Sequence, residues 1–309
     1  MSNLLKVSSG PHVRSKFTTG IIMLIVLIAL LPATGYGMYH FGTNAIILTL
    51  VSIASCVLSE LIYELITKQK ITIGDFSAVV TGLLLALNLP STATWWMAVI
   101  GGVFAIVVVK MVFGGIGQNF MNPALGARCF LMICFTARMT NFNYDGMTSA
   151  TPLMLIRNGE SVNVRDMVIG NIAGTIGETS VIAILIGACI LLAFGIISLR
   201  IPLAYLVSFV VFMGLFAGHG WDVNYLTAEL AGGGLMLGAF FMATDYATST
   251  ITDNGKIIYG ICLGILTGIF RVFSNSAEGV SFAIIFCNLL VPLIEKITLP
   301  KCFGKGGEV

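Results

Sequence analysis

The chain has 309 residues, of which 57% are hydrophobic and only 10% charged, with a formal net charge of +2 and a mean hydropathy of +0.98. That composition cannot build a water-facing exterior around a core of this length, and it places the chain with polytopic membrane proteins. It also excludes a nucleic-acid partner, because the few Lys and Arg fall between apolar runs and not along one stripe.

Residues 1–20 form a basic N-terminal segment. The apolar run from Ile21 to Ala33 leads into 34-TGYGMYHFG-42 without a small-x-small cleavage site, so it reads as a retained first span. A membrane-crossing helix needs about 20 apolar residues, and ten candidate segments follow, near 21–38, 44–66, 76–90, 95–113, 122–137, 179–198, 201–217, 230–245, 257–273 and 279–297. The third and eighth run into polar stretches, 88-NLPSTAT-94 and 244-TDYATST-250, as expected of helices that break inside the membrane where they line a cavity.

With the N-terminus inside, Lys6, Lys16, Lys68, Lys70, Lys110, Lys256, Lys296, Lys301 and Lys305 all fall on the cytoplasmic side, as positive flanks do. Both termini are then cytoplasmic, including the tail 298–309. Arg138, Arg157 and Arg165 lie in one long loop, 138–178, which this topology puts outside; Arg271 is a further exception.

The stretch 82-GLLLALNLPSTAT-94 aligns with 238-GAFFMATDYATST-250, and 110-KMVFGG-115 with 270-FRVFSN-275. Five spans separate the equivalents, so the second copy is upside down. The expected fold is an all-α integral membrane protein of about ten transmembrane helices in two inverted five-helix repeats with broken helices, residues 21–137 and 179–297. Such repeats place ligand sites at their interface near mid-membrane.

Several residues ask for a role. In the loop, 145-DGMTSATP-152 gathers an acid, a glycine, hydroxyls and a proline, which also describes an ordinary turn. On the inside, 114-GGIGQNFMNP-123 sets Asn119 and Asn122 three apart, where both amides can face one planar, polar-edged ligand or simply cap a turn. Asp245 is an ionisable group at a span end, facing a ligand, a cation or cytoplasmic water. Glu178 stands at the start of the sixth span, where the helix dipole favours an acid. Glu60 and Glu64, four apart near Lys68 and Lys70, read as an interfacial charged face. Arg128 within the fifth span has no evident partner. No carboxylate or carbonyl cluster stands out as a Na⁺ cage, and the seven Cys lack a CxxC, so neither a metal centre nor disulfides are expected; they read as small buried hydrophobes.

Over nearly its whole length the sequence resembles the D-subunit of the Rnf ion-translocating electron transport complexes and its relative, the B-subunit of the sodium-translocating NADH:quinone reductase. The most specific piece is 145-DGMTSAT-151, similar to the D-G-x-(S/T)-(G/S)-A-T signature of proteins that carry FMN as a phosphoester on the final Thr. Further matches are 114-GGIGQNFMNPA-124, 175-TIGETS-180, 242-MATD-245 and 279-GVSFAIIFCNLLVPLIE-295. The short N-terminus favours the Rnf protein.

The resemblance implies a covalent FMN on Thr151, installed by a flavin transferase, with Asp145, Gly146, Thr148, Ser149 and Ala150 completing the motif and Glu178 walling the site. It also implies a non-covalent riboflavin near the cytoplasmic side, for which Asn119, Asn122 and Asp245 are the candidate contacts. Electrons would cross a bacterial cytoplasmic membrane between the two flavins, coupled to Na⁺ or H⁺ translocation, in a ferredoxin:NAD oxidoreductase. The chain has no Fe–S ligand set and no dinucleotide fold of its own, so this function requires the Fe–S and flavin subunits of the complex. The alternatives are a channel or secondary transporter of the same fold without redox activity, or the quinone-reductase relative.

Overall fold

A computed structural model describes residues 17–144, 147–148, 151–158, 160, 162–274 and 279–300. The architecture is helical: α1 (Thr19–Phe41), α2 (Thr43–Thr67), α3 (Ser77–Leu87), α4 (Trp95–Val103), α5 (Pro123–Cys134), α6 (Thr136–Met139), α7 (Pro152–Arg157), α8 (Val164–Ile169), α9 (Val181–Ala193), α10 (Arg200–Phe216), α11 (Val223–Ala231), α12 (Leu235–Leu237), α13 (Asp253–Phe273) and α14 (Val280–Thr298). A two-residue antiparallel ladder joins β1 (Asn143–Tyr144) to β2 (Met147–Thr148) in the loop between α6 and α7. The chain is thus an all-α integral membrane protein, as the composition requires.

Helices α1, α2, α13 and α14 are long and apolar enough to cross a membrane alone. A fifth span arises if α11 and the segment Leu235–Met242, bent by 63° at their junction, count as one. The other expected spans appear as shorter apolar helices: Ser77–Leu87, Trp95–Met111, Pro123–Cys134, Val181–Ala193 and Arg200–Phe216. Helix α3, with 11 residues, covers only about 16 Å at a rise of ~1.5 Å per residue, roughly half a bilayer.

The expected breaks occur where the polar stretches begin. Helix α3 ends at Leu87, and its carbonyl ends are taken up by another segment: Ile176 N donates to Leu89 O (3.1 Å) and Gly177 N to Leu87 O (2.8 Å). A broken helix end inside a membrane needs such partners, since no water is there to supply them. The second break follows Met242, after a π-helical turn from Gly238 to Met242; a similar π turn, Phe104–Met111, continues α4. An additional bend at Gly232–Gly234 separates α11 from α12. Gly233 and Gly234 both have positive φ there, which the unbranched backbone of glycine permits.

Burial runs opposite to that of a soluble helix. On α2 the inward residues include Ser52, Ser55, Ser59, Glu60 and Glu64, while Leu50, Leu58, Ile62 and Leu65 point outward. Lipid is as apolar as leucine, so helix contacts rest on close packing and interhelical hydrogen bonds. The most extensive pairing joins α10 to α13, where Gly260, Gly264 and Gly268 receive Ala204, Ser208 and Phe212. A Cβ at Gly264 would stand 2.6 Å from both Phe209 N and Tyr205 O. Gly264→Leu is therefore expected to cost about 3 kcal/mol or more, seen as a lower yield of folded protein and a lower melting temperature in detergent; an unchanged melting temperature would refute this packing.

Three expectations are corrected. Glu60 and Glu64 form no interfacial face: each is only 1% exposed, because in a bilayer it is the apolar side of α2 that turns outward. Lys110 is not an exposed flank: it is buried at 3% exposure, its Nζ 2.8 Å from Glu60 Oε2. Cys134 and Cys189 are exposed, whereas Cys56, Cys129 and Cys287 are buried as expected.

Candidate functional site

A cavity of about 670 Å³ opens beside the second break and the first turns of α3. Its wall includes the first turns of α1 (Ile22, Met23), the first half of α3 (Ser77, Thr81), Lys110, the loop at Asn119–Pro123, the end of α9 and the turn after it (Leu191, Ile196), the turn at Thr244–Ser249, and the end of α14 (Glu295). Asn119, Asn122 and Asp245, each a candidate on its own sequence evidence, come together in its wall.

Their polar atoms are partly committed. Asn122 is the N-cap of α5: its side-chain oxygen accepts from Ala124 N (3.1 Å) and Leu125 N (3.4 Å), with Pro123 in the first helical position, as helix starts prefer. Asn119 donates from Nδ2 to Met121 O at 3.0 Å. Asn122 thus offers its NH₂ group, and Asn119 its carbonyl and a second N–H, to a ligand. Asp245 closes its own turn, accepting from Ala247 N (3.4 Å) and Thr248 Oγ1 (3.3 Å). The next residue, Tyr246, donates its hydroxyl to Ile196 O.

On the opposite side lies Thr151, half-buried, at the N-cap of α7 with Pro152 as the first helical residue. Its carbonyl accepts from Met154 N (2.9 Å) and Leu155 N (3.1 Å), but its side chain makes no capping hydrogen bond. A Thr at such a position ordinarily spends its hydroxyl on the helix; this one does not. Thr151 and Glu178 share the wall of a small cavity of about 20 Å³, together with Gly174 and Gly233. Beyond Leu153 a second cavity, of about 140 Å³, is lined by His219, Tyr225 and Arg271. Asp145, Gly146, Ser149 and Ala150 lie outside the described residues, and Thr148 falls in β2.

Glu178 does more than stand at a helix start. Its Oε1 is 2.9 Å from Arg128 Nη1, which also donates to Asn88 Oδ1 at 2.8 Å, and all three residues are buried. This supplies the partner that the sequence did not show for Arg128. Asn88 also donates to Leu84 O and lies 3.9 Å from Met242 Sδ, so the two broken segments meet beside the pair. The segment 175-TIGETS-180 holds one broken end and presents Glu178 to Arg128 as well.

Two other buried pairs were also not visible from sequence. Lys110 holds Glu60, and Arg271 holds Glu229 at 2.8 Å. Both cations lie in the aligned stretches 110–115 and 270–275, one alignment position apart.

This combination defines a polytopic helical membrane protein with broken helices, a roomy polar-edged cavity on one side and an uncommitted threonine hydroxyl on the other. The chain belongs to the NQR2, RnfD, RnfE family, whose model matches residues 6–304. Among its relatives is the D-subunit of the Na(+)-translocating ferredoxin:NAD(+) oxidoreductase complex of Acetobacterium woodii, 45% identical over 97% of this chain and 95% of that protein. The D-subunit of the proton-translocating ferredoxin:NAD(+) oxidoreductase complex of Clostridium ljungdahlii is 35% identical, covering 98% and 97%. The D-subunit of the ion-translocating oxidoreductase complex of Erwinia tasmaniensis is 32% identical over 97% and 98%. These names agree with the resemblance to the Rnf protein read from the motifs.

Proposed function

We propose that the chain is the membrane flavoprotein subunit of an ion-translocating ferredoxin:NAD oxidoreductase, carrying electrons across the membrane between an FMN ester-linked to Thr151 and a second flavin in the large cavity. The observation that carries this reading is that cavity: about 670 Å³ lies within the range of roughly 300–1,000 Å³ that holds planar ligands of this size. Its polar groups also fit the ring. The free NH₂ of Asn122 and the free carbonyl of Asn119 match a ring edge that alternates acceptors and donors, while Ile22, Met23, Val26, Leu84 and Phe241 supply apolar surface for its faces.

Thr151 fits the covalent group for a different reason. Esterification needs an accessible hydroxyl and an external transferase, and this hydroxyl is half-buried and not engaged with α7. The adjoining spaces of about 20 and 140 Å³ are too small to enclose an isoalloxazine ring, so in this reading the loop leaves the ring reachable by a partner. A bound flavin supplies one-electron transfer, and the protein's share is orientation, hydrogen bonding and exclusion of water. Ferredoxin and NAD bind on other subunits of the complex.

In the same reading the halves 21–137 and 179–297 are inverted copies, supported by the two matched breaks and the two buried cations in aligned stretches. The N-terminus, Lys68, Lys70, Lys256 and Lys296 face the cytoplasm of a bacterial cell. The loop 138–178 then faces outward, beyond the cytoplasmic membrane, with Na⁺ or H⁺ moved in that direction.

The test is direct. The purified complex is denatured and the polypeptide precipitated; flavin fluorescence that stays with this chain is expected, and a chain without it would instead fit a channel or secondary transporter of the same fold. For the inner site, Asn119→Leu with Asn122→Leu is expected to lower extractable riboflavin at least tenfold per mole of protein, through the loss of two or more hydrogen bonds of about 1 kcal/mol each. Riboflavin retained at the wild-type ratio would move the site elsewhere.

A further inference from the structure

At the inner end of α2 a chain of polar contacts lies inside the protein with one atom unaccounted for. Glu60 accepts both Lys110 Nζ contacts, at 2.8 and 3.0 Å. Lys110 also donates to Ser77 Oγ at 2.6 Å, and Ser77 Oγ donates to Asp75 Oδ1 at 2.6 Å. Thr72 reaches both glutamates, with its hydroxyl on Glu60 Oε1 (3.3 Å) and on Glu64 Oε1, and its N–H 3.0 Å from Glu64 Oε1. Glu64 Oε2 remains: it is buried and has no hydrogen-bond partner among the described residues, in a side chain that is 1% exposed.

The charges do not balance. Lys110 compensates Glu60, and among the described residues nothing compensates Glu64; Asp75 adds a further negative charge on the outer rim of the cluster, and Lys68 and Lys70 are exposed. An isolated buried carboxylate is expensive unless a cation or a proton joins it. Two members of the cluster, Ser77 and Lys110, are also part of the wall of the large cavity, so the cluster borders that cavity.

We propose that Glu64 Oε2, with Glu60 and Thr72 beside it, forms a site for one exchangeable monovalent cation, Na⁺ or H⁺. Glu64 takes up a single positive charge as a Na⁺ carboxylate or as a neutral carboxyl group. The site supplies a place for the transported ion and in that respect rests on the reading of the chain as part of a translocase. The binding itself needs neither flavin nor electron transfer.

The test uses infrared difference spectra of the detergent-purified complex. In one arm NaCl is exchanged for choline chloride at fixed pH; in the other, pH is varied without Na⁺. A shift of carboxylate stretches in the first arm identifies Na⁺, and the appearance of a neutral carboxyl stretch in the second identifies H⁺. Glu64→Gln is expected to abolish the responding band. Thr72→Val, which keeps the carboxylate and removes one donor, is expected to shift it, so the test stands even where Glu64→Gln fails to assemble. Silence of the wild-type protein in both arms, or a band that persists at full amplitude in Glu64→Gln, overturns the proposal. Loss of flavin from Thr151 leaves these outcomes unchanged, so the two readings fail separately.

Discussion

Thr151→Val is expected to leave the chain in the membrane with no flavin bonded to it. Valine has nearly the shape of threonine and lacks the hydroxyl that an ester needs. The usual cost of such a change at an N-cap is about 1 kcal/mol, but here the side chain makes no capping hydrogen bond, so little stability should be lost. Mass measurement of the peptide that contains residue 151 is the check, with Thr148→Val as the companion. The wild type and Thr148→Val should carry the mass of an FMN ester, and Thr151→Val the bare peptide. An FMN-sized addition that survives in Thr151→Val would move the attachment and remove the outer redox centre proposed here. Electron transfer through the assembled complex is expected to fall to background in the same variant.

The second large effect concerns the buried pair between Arg128 and Glu178. Removing one partner of such a pair leaves an uncompensated charge inside and costs about 3–5 kcal/mol, a large part of the stability of most folds. Arg128→Leu is therefore expected to lower the amount of folded protein sharply. The double change Arg128→Leu with Glu178→Leu should recover much of the loss, since replacing both partners by apolar groups is often close to neutral. Thermal unfolding in detergent for both single variants and the double variant gives the coupling. A loss in the double variant equal to the sum of the two single losses would mean that the charges do not depend on each other. A Cβ at Gly234 would lie 2.6 Å from the carboxyl carbon of Glu178, so Gly234→Ala is expected to displace that carboxylate.

Much of the architecture is legible in local pattern. Hydrophobic run length orders the apolar segments, and the hydroxyl-rich stretches after Leu87 and Met242 mark the breaks. Asn119, Asn122 and Asp245 stand out by their chemistry, and the fold collects them in one wall. What local pattern does not reach is pairing at a distance. Lys110 and Glu60 are 50 positions apart, as are Arg128 and Glu178, and no periodicity links them. Glu60 and Glu64 mislead because their four-residue spacing beside Lys68 and Lys70 is that of a solvated helix face; in a bilayer the same spacing marks the inward side. The bend after α11 does carry a signal, the triplet 232-GGG-234. Hydropathy puts the eighth span at 230–245 because its first half, from Val223, is less apolar than a span end normally is.

Helix α5 holds Asn122 at its start and Arg128 two turns on, and Arg128 holds the Glu178 that lines the space beside Thr151. Helix α5, 12 residues long, therefore joins the wall of the large cavity to the space beside Thr151. A substitution that displaces α5 is expected to disturb both places at once.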